Sequence, residues 1–502
     1  MRPGSRGRSR TLLKDGLRFL ARTADVSSAS RLIAKNTLWL GLGQGVSGLV
    51  MFFVTIYLAR RFGAGGYGQF AFALSYVSLF AMLFDFGLPI AVTRELVRDA
   101  GRIREFPAVL TLKGAIGIAA ILTITVSTLF FVHTHQVRML VAILALYSFF
   151  LELLNLFYAV FRSRQRMELE TRIRLLQTGA LGVLVFAVGS HWHSLRAIAY
   201  AFVASPLVAF AVLATRRWAR NHRDASVRLV DLTVWKVFLA IGVYLALARG
   251  VADIITNTDS VILGAWGFIR DVGRYNAAGN VNGLLLFPMV LISTAIFPAL
   301  VARLRDSPDG FVKYWLTWMR LSTFVAGLVA AGTLICARAA VVLAFGASFG
   351  PAAPALEILV FTTSLTYIHN LYFQAFLALD LQAKIFRTLV VAAIGNVALN
   401  IALVPILRLY GSALASVVAH AAILGQYVLI GSRVPLLRPL ARPLSASLGT
   451  SLVSAIASVV VARSLNVSSG LFLGAAVVSV VYTAVWIALR PVTNRFSMPA
   501  SM

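Results

Sequence analysis

Residues 83–99 read LFDFGLPIAVTRELVRD, and Asp85 closes a long apolar run there. Gly87 and Pro89, which break or bend helices, follow at once, and the polar stretch after them offers Arg94 and Arg98 as partners for the carboxylate. Two further apolar runs hold ionisable groups, Glu152 within 139–161 and Arg249 with Asp253 within 237–268. A charge at the centre of a membrane helix costs about 2.5–3.5 kcal/mol on the insertion scale, so such groups face a partner, a cavity or a ligand. The guanidinium of Arg249 would grip a carboxylate or a phosphate through two parallel hydrogen bonds. Asp253, four residues on and on the same helix face, is the local alternative. Glu152 would either bind a coupling proton or cation or pair with a base of the first half. Asp259, close to the outer interface, reads as a hydrated carboxylate.

Amides and imidazoles recur in the same runs: Gln44, Asn276, Asn280 and Asn282, then His369, Asn370 and Gln374, then Asn396, Asn400 and His420. Each would either line a polar path or bond a neighbouring helix, an exchange worth roughly 0.6 kcal/mol on average in membranes. A group of arginines, Arg60, Arg61, Arg270 and Arg274, falls at two expected helix turns, where phosphate of a ligand or of lipid is the natural partner.

The elements that carry these residues are membrane helices. The 502-residue chain is 59% hydrophobic and 13% charged, and uncharged runs long enough to cross a core of roughly 30 Å recur along it. Open strand edges are not satisfied in lipid, so the runs are helices. The count is fourteen: 37–59, 67–86, 114–132, 139–161, 175–190, 197–215, 237–268, 275–302, 321–337, 358–379, 388–407, 410–432, 443–462 and 470–489. At about 1.5 Å per residue Asp85 lies ~27 Å from Tyr67, at the inner edge of the core, which suits an inner gate or an interface. By the same rise Arg249 lies near the midplane, as the one basic side chain within a span.

The net charge of +28 orients the chain rather than binding nucleic acid. With the N-terminus cytoplasmic and every run crossing, 36 of the 46 Lys and Arg fall inside, nine outside and one, Arg249, within a span. Both termini are then expected in the cytoplasm. The densest inner segments are 1–36, 161–174 and 215–228. The first apolar run is 23 residues long with no cleavage pattern after it, and reads as an uncleaved span. Leu13, Leu17 and Leu20 before it have helical spacing among basic residues, so this segment either lies on the inner leaflet or is a disordered tail.

Cys336 is the single cysteine, which leaves no disulfide framework and no thiolate metal cluster, and no cofactor or metal is expected. Neither a phosphate loop nor H-E-x-x-H nor G-x-S-x-G occurs, so no ATPase of its own is expected.

Gly65-x-Tyr67 and Gly273-x-Tyr275 echo each other at the outer turns of two hairpins. FYAVFRSRQRMELETRIRL and FLALDLQAKIFRTLV, at the inner ends of the fourth and tenth runs, form a second echo, and the two together suggest two parallel six-helix lobes, 37–215 and 237–432, with a basic linker 216–236 between them, two appended helices within 443–489 and a tail 490–502.

Four stretches then carry a family resemblance: 33–96, with G-x-x-x-Y-G, D-F-G and T-R-E in order, and 259–300, 345–359 and 396–418. The chain resembles the polysaccharide-exporting flippases of bacteria, within the superfamily that also holds multidrug extrusion transporters and lipid II flippases. The resemblance implies two lobes that alternate in access and move a polyprenyl-diphosphate-linked oligosaccharide to the outer leaflet, for O-antigen, capsule or exopolysaccharide, in the cytoplasmic (inner) membrane. Implied partners are that lipid-linked oligosaccharide, membrane lipids and polysaccharide assembly proteins, with no nucleic acid. In that frame Arg249, Asn276, Asn280 and Gln44 are substrate-site candidates, Glu152, Asp253 and Asp85 are coupling or gating candidates, and Arg60, Arg61, Arg270 and Arg274 are outer-mouth candidates. A cation-coupled drug exporter would favour an acidic cavity, and a polytopic glycosyltransferase or polymerase usually has a large outer loop, which this chain lacks.

Overall fold

The computed structural model describes residues 6–132, 134–215, 229–438, 441–466 and 471–497, with side chains over 35–132, 134–214, 229–289, 293, 296–438, 443–466 and 471–489. The basic segment 216–228 lies outside the described residues, and of the N-terminal leucines only the helical backbone is described. No strand occurs among the described residues, and twelve helices are long and apolar enough to cross a membrane.

The helices are α1 (Arg6–Leu79), α2 (Ala81–Asp85), α3 (Leu88–Arg98), α4 (Phe106–Phe131), α5 (His135–Ser163), α6 (Met167–His191), α7 (Leu195–Thr215) and α8 (Leu232–Ala265). There follow α9 (Ile269–Asp306), α10 (Pro308–Phe345), α11 (Ala353–Ala378), α12 (Gln382–Leu407), α13 (Leu409–Ser432), α14 (Ala441–Ser464) and α15 (Leu471–Ser497). A straight helix of 74 residues would run ~111 Å, far beyond a bilayer. α1 therefore folds back at Gly63, whose φ of 65° is open to a residue without Cβ. Its two arms hold the first expected crossing and the start of the second, and α9, 38 residues long, covers the eighth.

The expected second crossing, 67–86, is not one helix. It stops at Leu79, resumes as the short α2, and breaks again at Phe86 and Gly87, with φ 47° and 64°. Pro89 then sits in the first turn of α3, where a missing N–H is harmless.

The turns at Gly63 and Gly267 mark one end of the bundle, and the turns at Asp99, Gln165 and Asp380 the other. At the Gly63 end the second arm of α1 crosses α9 backbone to backbone: a Cβ on Gly68 would stand 3.1 Å from Gly273 N, and one on Gly273 3.0 Å from Gly68 N. The two tyrosine-glycine turns are thus a packed pair, buried in an apolar core that includes Tyr67, Phe72, Leu263 and Tyr275. Burial of that core relative to lipid rests on packing rather than on water exclusion, which is why small residues stand at the crossing. α14 and α15 pack on each other and on α10.

α8 has different neighbours at its two ends. Its N-terminal half packs on α2, α3 and α4, with Phe238 in one apolar cluster with Leu88 and Val92 of α3, Trp235 Nε1 donating to Ala108 O of α4, and Arg102 of the turn between α3 and α4 over the Phe238 ring. Its C-terminal half packs on α1, where Gly264 faces Phe72, and on α12 and α13 through Asp259, while α12 also reaches the N-terminal half where Phe386 lies beside Tyr244.

Candidate functional site

Asp85, Lys113, Glu152, Arg249 and Asp253 come together from α2, α4, α5 and α8. Arg249 Nε donates to Asp253 Oδ1 at 3.2 Å, and its Nη1 lies 3.7 Å from Asp85 Oδ2. The Asp253 pairing is the local one the spacing offers. The Asp85 pairing corrects the expectation of Arg94 or Arg98: Arg98 lies 3.9 Å from Glu95, and the break at Phe86 turns Asp85 toward α8 instead. Arg249 keeps 46% of its side chain exposed, against 12% for Asp85 and 14% for Asp253, so the guanidinium is held from one side and open on the other.

Lys113 corrects a second expectation, that Arg249 is the one base within a span. It is fully buried in α4, and its Nζ lies 4.0 Å from Glu152 Oε2. Glu152 thus takes a base of the first half. The sequence signal for Lys113 was its position inside the apolar stretch 106–131, where it was counted with the loop charges beside it.

A cavity of about 720 Å³ opens nearer the Gly63 end. Gln44, Asn257, Asn276, Asn280, Asn282 and His420 give it a polar lining. Asn280 Nδ2 donates to Tyr67 OH at 3.2 Å, Asn276 Nδ2 to Ser260 Oγ at 2.9 Å, and Asn282 Nδ2 to Thr362 Oγ1 at 3.2 Å. Arg249 is not among the residues lining it. It stands six residues along α8 from Ile255, about 9 Å toward the Asp99 end, so the candidates divide into an amide-lined chamber and a charged cluster below it.

The chamber shares Gln44, Gly45, Leu49 and Phe287 with a groove of about 870 Å³ between α1, α9 and α11. That groove is mostly apolar, with Leu38, Leu42, Phe297, Phe373 and Leu377 on its walls, and Thr37, Gln44, Ser293 and Gln374 as its polar points. Asn370 Nδ2 donates to that Ser293 Oγ at 2.5 Å.

Asp259 is buried rather than hydrated. Asn400 donates to Oδ1 at 2.7 Å, and Tyr275 and Ser416 each donate to Oδ2 at 2.5 Å. Three helices, α9, α12 and α13, thereby converge on one carboxylate with neutral donors. The helical position of Asp259 read as an interface, and two of its three donors, Asn400 and Ser416, are distant in sequence. His369 lies beside His420, ring centroids 5.8 Å apart, with both its ring nitrogens buried and without a hydrogen bond.

The arginines at the Gly63 end are mostly occupied. Arg60 donates to the carbonyls of Leu343 and Ala344 at the end of α10, Arg61 to Gly189 O, and Arg274 pairs with Asp271. Among the described residues Arg270 has no ion pair; its side chain packs by Gly65.

This arrangement is that of a multi-pass membrane transporter fold. The structure is similar to that of the lipid II flippase MurJ in an inward closed conformation, with a TM-score of 0.72 at 12% identity over 91% of this chain and 99% of that one. It is also similar to an inward-facing multidrug resistance MATE family transporter of the MOP superfamily, with a TM-score of 0.63 at 17% identity over 79% and 96%. The family described as polysaccharide biosynthesis protein matches residues 33–303, more than half of the chain, and the chain belongs to that family. A probable flippase, AglR, of Haloferax volcanii is 28% identical over 167 residues, 32% of this chain. The match spans about a third of that relative, 34% of its length.

Proposed function

We propose that the protein flips a polyprenyl-diphosphate-linked oligosaccharide from the cytoplasmic to the outer leaflet, by alternating access of two six-helix lobes, 37–215 and 237–432. One observation carries the reading: an amide-lined chamber joined laterally to an apolar groove, with a half-exposed arginine below the chamber. A glycan needs hydrogen-bonding partners to leave water, a polyprenyl chain needs none and stays in hydrocarbon, and a diphosphate needs cationic donors. The three surfaces meet those three demands in one molecule. The names of the related flippases support the same reading.

In this reading Arg249 exchanges Asp85 for the diphosphate, and Asn276, Asn280 and Gln44 face the glycan. A ligand shifts a two-state protein only by its differential affinity for the two states. Asp85, on the first lobe, is the group whose loss from Arg249 separates the lobes at the Asp99 end. That end is cytoplasmic by the distribution of basic residues, and the Gly63 end, packed through Gly68 and Gly273, is the closed outer side. The membrane is the cytoplasmic membrane of the cell, the product serves surface polysaccharide, and assembly proteins receive it there.

The test is extraction of lipid-linked oligosaccharides from a deletion strain. Surface polysaccharide is lost and its lipid-linked precursor accumulates on the inner leaflet. A strain that makes no precursor would point instead to a transferase or polymerase.

A further inference from the structure

We propose that Lys113 is a positioning residue for transport: it holds the broken α2–α3 turn, and so fixes Asp85 as the carboxylate that competes with an incoming diphosphate for Arg249. The proposal rests on the anion-transport reading above.

The need for such a group begins in the sequence. Where a helix breaks, its last carbonyls lose their donors. The break at Phe86 and Gly87 does this to Phe84 and Asp85, and the residue that would have served Asp85 O by helical spacing is Pro89, which has no N–H. A buried carbonyl left without a donor is costly, on the order of 1–3 kcal/mol. Lys113 supplies both: its Nζ donates to Phe84 O and, at 3.2 Å, to Asp85 O. A cation at the C-terminal end of a helix is also favoured by the aligned peptide dipoles.

The charge of the ammonium is balanced by Glu152 on α5, whose Oε2 lies 4.0 Å from Nζ. Lys113 is fully buried, and a buried cation keeps its place only where it is compensated in this way. The turn so fixed is pressed against α8, where a Cβ on Gly87 would stand 2.8 Å from Gly242 O. With the backbone of Asp85 pinned on α4 and its neighbour seated on α8, its carboxylate has a set reach to Arg249 Nη1, 3.7 Å away. Lys113 acts through Asp85 and does not itself face the open side of Arg249.

A double-mutant cycle separates this role from a merely structural one. Inorganic pyrophosphate is titrated into the full-length detergent-purified protein and binding is read by calorimetry. Asp85→Asn removes the competing charge and tightens pyrophosphate binding by roughly 5-fold, a coupling of the usual size. In a Lys113→Met background the same Asp85→Asn change has no further effect, because the carboxylate is no longer held opposite Arg249. An Asp85→Asn effect of full size in that background overturns the role of Lys113. Should Lys113→Met fail to fold, Glu152→Gln serves as the background, with a reduced Asp85→Asn effect expected and an undiminished one overturning the proposal. Pyrophosphate that does not bind, or binds equally to Arg249→Ala, overturns the anion reading itself and this proposal with it.

Discussion

Gly87 and Gly242 meet where neither has room for a side chain. A Cβ on Gly87 would stand 2.8 Å from the Gly242 carbonyl oxygen, and one on Gly242 would run into the carbonyl oxygen of Phe86. The contact joins the α2–α3 turn to α8 at the Asp99 end. Alanine at Gly242 therefore pushes the two apart, at about 1–3 kcal/mol for an overpacked site. The expected result is a lowered melting temperature in detergent and, in the proposed alternating access, a shorter residence in the form closed at this end, read as faster labelling of a cysteine placed at Thr256 in the chamber of the Gly242→Ala protein. Unchanged labelling with unchanged stability would show that the contact is loose.

Arg249→Ala is expected to abolish export of surface polysaccharide with a normal amount of protein in the membrane, and Arg249→Lys to leave part of it. Lysine keeps the charge but loses the planar fork that holds two oxygens at once. Export at the wild-type level from Arg249→Ala would make the residue structural, a local partner of Asp253 and nothing more.

Asp259→Leu leaves Tyr275, Ser416 and Asn400 without their acceptor. Each donor so stranded in the interior costs about 1–3 kcal/mol, so the variant is expected to be poorly folded. Asp259→Asn keeps an oxygen in place and is expected to be the milder of the two. Thermal unfolding of the purified proteins checks the order, and equal stabilities would mean that water replaces the lost acceptor.

A periplasm-active reporter joined after Arg463 is expected to be active, and one joined after Lys384 inactive. Arg463 lies in the last turn of α14, and Lys384 in the first turn of α12, at opposite ends of the bundle. The reverse pattern would invert the proposed direction of transport.

The helical membrane class was legible because apolar runs of about 20 residues have few other readings. The break after Asp85 was legible too, from Gly87 and Pro89. The earlier break at Phe80 was not, since nothing in ALSYVSLFAMLF marks it; α2 turns away there to pack on α4 and α8. Lys113 was missed because a single charge at the margin of an apolar run looks like an interface residue; Glu152 asked for a base without naming it, and the two backbone carbonyls that Lys113 also serves leave no trace in residue types. Asp259 was misjudged for a related reason. Its donors Asn400 and Ser416 come from helices 141 and 157 residues away, and only the packing of α8 on α12 and α13 unites them.

The two sets of neighbours of α8 make it a lever. Near one end it is pinned to α3 and α4 by Trp235 and Phe238, and near the other to α12 and α13 by Asp259. In the proposed alternating access, a relative rotation of the two lobes would load α8 between these anchorages. Arg249 and Gly250 lie in that stretch, and Gly250 faces Met82, a side chain flexible enough to yield. In the proposed function, the charge offered to the diphosphate therefore stands on the stretch of α8 between its two anchorages.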